Sequence, residues 1–157
     1  MKVKIALALL LVCASKDAVS QSENRLSYGS GVFAIIDDEV EYEAKVEYQF
    51  FKKDGVLTPM LGIMGTTAGS YYFYGGFNRE FLVNPAWAIT ASLAAGAYRR
   101  GNGKDLGGIL EFRSGLEFAY VFNNDSRLGI AIYHISNSNI FDRNPGSESI
   151  VITFTPN

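Results

Sequence analysis

From Glu39 to Phe50 polar and apolar residues alternate at every step. Glu39, Glu41, Glu43, Lys45, Glu47 and Gln49 interleave with Val40, Tyr42, Ala44, Val46, Tyr48 and Phe50. Side chains of a β-strand point to opposite faces at successive residues, so this run specifies a strand with one apolar and one heavily charged face. A helix of the same sequence would scatter the charges around its axis. The pattern recurs. Leu110, Phe112, Leu116, Phe118 and Tyr120 are offset by one from Glu111, Arg113, Gly115, Glu117 and Ala119. Trp87, Ile89, Ala91, Leu93 and Ala95 are interleaved with smaller or polar residues, as are Leu128, Ile130 and Ile132, and Ile150, Ile152 and Phe154.

The alternating runs predict eight strands, at 25–36, 39–52, 56–67, 70–82, 86–98, 108–122, 126–136 and 148–155. Turn signals separate them: Lys52-Lys53-Asp54-Gly55, Val83-Asn84-Pro85, Asn123-Asn124-Asp125 and a glycine-rich stretch from Gly101 to Gly108. The first and third strands alternate poorly, and Pro59 weakens the third. No linker or composition shift divides the chain, so it reads as one all-β domain. Aromatics at 13% and 16 glycines fit strands better than helices.

Two architectures use this pattern. A soluble eight-stranded barrel of the lipocalin kind turns the apolar face inward. A transmembrane barrel turns it outward and keeps charge in the lumen. The alternation persists for about ten residues per strand, the length a membrane strand requires. Export is also indicated. Lys2 and Lys4 precede an apolar stretch, Ile5 to Ala14, that is too short to span a bilayer. Ala18-Val19-Ser20 places small residues where a signal peptidase reads, so residues 1–20 are expected to be a signal peptide cleaved before Gln21, leaving a 21–157 barrel. Cleavage would remove Cys13, the only cysteine. The expected fold is therefore an eight-stranded antiparallel transmembrane β-barrel in the outer membrane of a Gram-negative bacterium.

The net charge of −2 argues against a nucleic-acid partner. One histidine and no mature cysteine leave few metal ligands, and no cofactor is expected. That histidine, His134, lies two residues before Ser136, so both occupy the face of Leu128, Ile130 and Ile132. Glu148 shares a face with Ile150, Ile152 and Phe154. In an antiparallel hairpin, pairing His134 with Glu148 also pairs Ile132 with Ile150, Ile130 with Ile152 and Leu128 with Phe154. One register thus matches apolar with apolar and sets imidazole beside carboxylate. Serine, imidazole and carboxylate are the groups of a hydrolytic triad: a hydroxyl nucleophile, its base, and an acid that orients the base. Asn137 and Asn144, in the following loop, are candidate oxyanion donors. The bland alternative is an interfacial histidine beside ordinary turn residues, with Asn137, Asn144, Pro145 and Gly146 serving only the turn.

The run Tyr133-His134-Ile135-Ser136-Asn137-Ser138-Asn139, followed by Asn144-Pro145-Gly146 and Glu148, resembles the C-terminal signature of the lipid A 3-O-deacylase (PagL) family. Phe112-Arg113-Ser114-Gly115-Leu116-Glu117 and Arg127-Leu128-Gly129 resemble it too. The specific likeness covers 109–154. It implies an eight-stranded outer-membrane barrel that hydrolyses the 3-position ester of lipid A with an outward-facing Ser-His-Glu triad. By the same likeness Ser136 is nucleophile, His134 base and Glu148 orienting acid. Asn144 takes the oxyanion role, and Asn137 supports the geometry. The chain departs from the usual barrel ending in an aromatic residue, closing instead on Phe154-Thr155-Pro156-Asn157.

With eight strands both termini face the periplasm, so the end of the seventh strand, with His134 and Ser136, reaches the outer leaflet where lipopolysaccharide resides. Arg99, Arg100, Lys104 and Arg143 are expected on that rim. They are candidates for contact with lipid A phosphates, or else are solvated loop charges. The expected protein is a cofactor-free ester hydrolase, monomer or homodimer. The alternatives are a non-enzymatic structural or adhesion barrel and a soluble lipocalin-like carrier.

Overall fold

The computed structural model describes residues 23–38, 40–50 and 56–157. It contains β1 (Arg25–Phe33), β2 (Glu41–Gln49), β3 (Thr58–Thr66), β4 (Tyr71–Asn84), β5 (Trp87–Arg99), β6 (Leu110–Val121), β7 (Arg127–Ser136) and β8 (Ser147–Thr155). Each pairs antiparallel with its chain neighbours and β1 pairs with β8, closing an eight-stranded barrel. All eight expected strands are present. The signal segment, Glu39 and the Lys52-Lys53-Asp54-Gly55 turn lie outside the described residues.

The strand limits have local causes. β1 stops at Phe33 rather than 36 because Ala34 adopts φ 59°, which breaks the extended backbone. Pro59 is accommodated near the start of β3, where its carbonyl accepts the Phe50 N–H at 2.9 Å. Asn84 Oδ1 accepts the Ala86 N–H at 2.9 Å and tightens the β4–β5 turn. Closure of the barrel needs a residue without a side chain at 31: a Cβ on Gly31 would lie 2.0 Å from the Ile150 carbonyl oxygen of β8. The poor alternation of β1 is thus the mark of its close approach to β8.

The charged faces point inward. Glu41, Glu43, Lys45 and Glu47 of β2 are buried, alternating with exposed Tyr42, Val46 and Tyr48. In the lumen Glu47 accepts the Tyr74 hydroxyl at 3.0 Å and lies 3.5 Å from Lys45 and 3.9 Å from Arg113. The Arg113 guanidinium stacks over Tyr133 at 3.6 Å. Nearer the termini Glu80 receives Arg127 at 2.8 Å and Arg25 at 3.5 Å. Lys45, Glu47, Arg113, Glu80 and Arg127 are tolerable in this arrangement because each has an opposite charge or a ring face as neighbour, whereas the carboxylate oxygens of fully buried Glu111 have no hydrogen-bond partner among the described residues.

The apolar faces point outward: Ile130 is 58% and Ile152 62% exposed, beside Leu116, Phe118, Ile132 and Ile150. A soluble carrier would show the reverse, so this is a transmembrane barrel. Trp87 stacks on Phe118 at 4.7 Å and meets Tyr120 edge-on, and Tyr120 meets Phe122. These rings sit toward the end that carries the termini, as an interfacial aromatic girdle does. Polar residues also occur on the outward face, Arg79 among them. Arg79 shares the face of Phe77 and Phe81, opposite Ala91, and lies over the Phe81 ring at 4.8 Å. The connections 34–40, 67–70, 100–109 and 137–146 gather at the rim opposite the termini.

Candidate active site on the outer wall

The β7–β8 ladder has the register expected from the sequence: His134 opposite Glu148, Ile132 opposite Ile150, Ile130 opposite Ile152 and Leu128 opposite Phe154. His134 Nδ1 lies 3.1 Å from Glu148 Oε1. A carboxylate only accepts, so Nδ1 carries the proton and Nε2 is left as a base. Both side chains sit on the outer wall, 49% and 30% exposed, above the isoleucine stripe. Ser136, the last residue of β7, is half-buried and opposite Phe112. Its hydroxyl makes no hydrogen bond among the described residues. Two residues along a strand are about 6.6 Å apart. Ser136 and His134 must therefore lean together to share a proton, a contact that commonly tightens only with substrate bound.

The two asparagines take different positions. Asn137 is 0% exposed and turned inward. Its Nδ2 donates to the Arg143 carbonyl at 2.7 Å and the Leu106 carbonyl at 3.0 Å, and its Oδ1 accepts the Asn139 N–H at 3.0 Å. It therefore ties the 100–109 connection to the 137–146 connection. The Asn137 N–H donates to Asn144 Oδ1 at 3.0 Å. That bond fixes which end of the Asn144 amide is oxygen and leaves its Nδ2 as a donor at the strand end where Ser136 lies.

Gly146 bounds the site on the side of the rim connection. It adopts φ +68°, and a Cβ there would lie 3.2 Å from His134 Cε1. Glycine thus serves both the backbone turn into β8 and the space beside the imidazole.

The rim cations separate into three environments. Arg143 Nη2 lies 2.7 Å and Arg100 Nη1 3.4 Å from the same Asp105 oxygen, Oδ2, and both arginines remain largely exposed. Asp105 Oδ1 accepts the Gly107 N–H at 2.9 Å. That N–H, followed by Arg143, holds the Asp105 carboxyl below its ordinary range. Lys104 is drawn to Asp37 in an ion pair, its backbone N–H donating to Glu41 Oε1 at 2.9 Å. Arg99, at the exposed end of β5, has no ion-pair partner among the described residues.

Three contributors escaped the sequence reading. Asp105 is one acidic residue in a glycine-rich stretch, where no periodicity points to it. Gly146 reads as a turn residue. Ser114 belongs to the outer stripe of β6 and stands opposite His134 on the side away from Glu148. The alternation of β6 places it there, but its neighbour depends on the β6–β7 register.

Fold and site together define an integral membrane β-barrel whose candidate catalytic groups face lipid instead of the lumen. The lipid A 3-O-deacylase (PagL) family model matches residues 31–155, and the chain belongs to that family. Among solved structures it is similar to the outer membrane enzyme PagL, with TM-score 0.64 and 20% identity over 85% of this chain and 99% of that one. A de novo designed transmembrane β-barrel follows at TM-score 0.58 and 12% identity, covering 88% and 98%. The Yersinia pestis outer membrane protein Ail is similar at TM-score 0.50 and 11% identity, covering 85% and 99%. At these identities the structural likenesses speak to the fold. No curated protein matches the sequence significantly.

Proposed function

We propose that this chain is a lipid A 3-O-deacylase of the Gram-negative outer membrane, exported by a signal peptide at residues 1–20 and active as the 21–157 barrel without a cofactor. The observation that carries the reading is the His134–Glu148 pair at 3.1 Å on the lipid-facing wall of a member of this family. Ser136 Oγ attacks the ester carbonyl at the 3-position while His134 Nε2 takes its proton. Glu148 holds the imidazole's orientation and stabilises the imidazolium. Asn144 Nδ2 donates to the oxyanion, and Asn137 holds the loop that presents it. Collapse of the tetrahedral intermediate breaks the ester C–O bond, and His134 returns the proton to the departing sugar oxygen. Water, deprotonated by His134, then attacks the acyl-serine; the C–Oγ bond breaks, His134 returns the proton to Ser136 Oγ, and a free 3-hydroxy fatty acid leaves.

The substrate reaches such a site by diffusing in the plane of the leaflet. Its acyl chain lies on the outer stripe against Phe112, Leu116, Ile132 and Ile150, each covered methylene contributing about 0.8 kcal/mol. Arg99, Arg100, Lys104 and Arg143 serve the phosphates, with Arg100 and Arg143 best disposed because Asp105 gathers them. The test is mass spectrometry of lipid A incubated with the purified protein in detergent micelles. Loss of one 3-hydroxyacyl chain with free fatty acid supports the reading. Loss of a secondary chain, or transfer to another lipid, refutes it.

A further inference from the structure

Among the described strands the outward faces carry four acidic or basic side chains, Arg79, Arg99, His134 and Glu148. Three stand at the rim: Arg99 closes β5, and His134 and Glu148 form the pair of the candidate site. Arg79 stands apart from them, past the middle of β4 toward the termini. Its neighbours fix its level. β3 begins at Thr58, opposite Asn78, so from Arg79 onward β4 runs beyond the end of β3. On the other side Phe81, Ile89 and Phe118 form one row across β4, β5 and β6, and Trp87 stacks on Phe118. Arg79 and Ala91 make the next row toward the rim. The cation therefore starts one row inside the aromatic girdle.

Its side chain turns back toward that girdle. The guanidinium carbon lies 4.8 Å from the centre of the Phe81 ring, and Phe81 is two residues nearer the termini on the same face. The charge is thus drawn out of the hydrocarbon to the interface while its stem stays on the wall. A guanidinium seated over a ring presents its N–H edge, whose parallel donors match two oxygens of a phosphate. Opposite, Ala91 offers only a methyl group, which leaves a recess beside the cation. Toward the rim the next pair is Phe77 and Leu93, both exposed and apolar. The level selects the anion. Lipopolysaccharide lies at the other face of the membrane, and at the end carrying the termini the headgroups are those of glycerophospholipids. A phosphodiester at Arg79 sends its acyl chains over Ala91, Phe77 and Leu93.

We propose that Arg79, seated on Phe81 and flanked by Ala91, is a binding site for the phosphodiester of a net-anionic glycerophospholipid in the inner leaflet. The site lies toward the opposite end of the wall from Ser136 and is independent of the deacylase reading. A zwitterionic headgroup carries an ammonium beside its phosphate, which offsets the attraction to the guanidinium, so an anionic lipid is preferred.

Trp87 is the only tryptophan of the chain and belongs to the same girdle on the neighbouring strand, so its fluorescence reports lipid at this level and not at the rim. The test reconstitutes the full barrel in phosphatidylcholine vesicles containing a fixed fraction of either brominated phosphatidylglycerol or brominated phosphatidylcholine, and reads the quenching of Trp87. Wild type should bind the brominated phosphatidylglycerol about fivefold more strongly, the worth of one basic residue at an anionic lipid surface. Arg79→Gln should bring the two lipids to within about twofold of each other. Removing a cation from the lipid-facing wall favours the folded barrel, and circular dichroism checks that the variant is folded. Excess inorganic phosphate should leave the wild-type preference in place. Equal quenching by the two lipids in wild type overturns the inference, with or without the variant. A preference that survives in folded Arg79→Gln also overturns it, and so does a preference abolished by inorganic phosphate, which would make the ligand a soluble anion instead of a lipid.

Discussion

His134 and Glu148 face each other across the β7–β8 ladder with Nδ1 3.1 Å from Oε1, and that same register carries the isoleucine pairs below them. The catalytic pair and the lipid-facing wall are thus set by one alignment of two strands. A slip of one residue would turn the imidazole into the lumen and expose the inward polar residues to lipid. Substitutions that keep this register change the chemistry and leave the barrel in place, which makes the following ones informative.

Ser136→Ala and His134→Ala should each lower ester hydrolysis by about three orders of magnitude or more, with the barrel still folded. Glu148→Ala should cost less, because the carboxylate orients the base without exchanging bonds with substrate. Rates on lipid A in micelles, with circular dichroism confirming the fold, check this. Near wild-type turnover in Ser136→Ala would remove Ser136 as nucleophile.

Gly146→Ala introduces a methyl 3.2 Å from His134 Cε1 on a backbone at φ +68°. The left-handed conformation costs a residue with a Cβ about 1 kcal/mol, and relief by tilting the imidazole would loosen its alignment with Ser136. The expected outcome is a fall in kcat larger than the fall in thermal stability implies. An unchanged kcat would show that the imidazole has room to spare.

Arg100→Ala and Arg143→Ala should each raise KM for bis-phosphorylated lipid A several-fold with kcat little changed, and the effect should shrink in high salt because both side chains are exposed. Dephosphorylated lipid A should be indifferent to either change. Stability should move by less than about 1 kcal/mol, as for other exposed pairs. The Asp105 carboxyl is held below its usual range, first by the Gly107 N–H and then by Arg143. A depressed folded-state value means that the clamp is intact above the ordinary carboxylate range and opens only as pH falls through the depressed value. KM followed downward in pH should therefore stay flat through the usual aspartate titration.

Ile130→Arg places a cation on the outward stripe, 58% exposed in the wild type. Near the bilayer midplane it should destabilise the barrel by about 2–4 kcal/mol, measured by urea unfolding in lipid vesicles. Thr153→Arg, at a buried lumenal position on β8, probes a different mechanism: it should fail through overpacking even in detergent, where the lipid penalty is relaxed.

Alternation with period two is a property of neighbouring residues, so the chain alone declared which faces are charged and which apolar. For β7 and β8 it also declared the partners, because a single offset pairs His134 with Glu148 and isoleucine with isoleucine. That was enough to place the candidate base and its carboxylate on the outer wall. The remaining geometry depends on contacts between distant segments, for which no local pattern exists. Asp105 meets Arg143 across two connections that Asn137 ties together through the Leu106 and Arg143 carbonyls. Ser114 becomes a neighbour of His134 only through the β6–β7 register, and Gly146 becomes part of the site only when its φ brings it against the imidazole. Strand faces follow from the backbone's own repeat, whereas loop positions follow from hydrogen bonds that exist only once the barrel has closed.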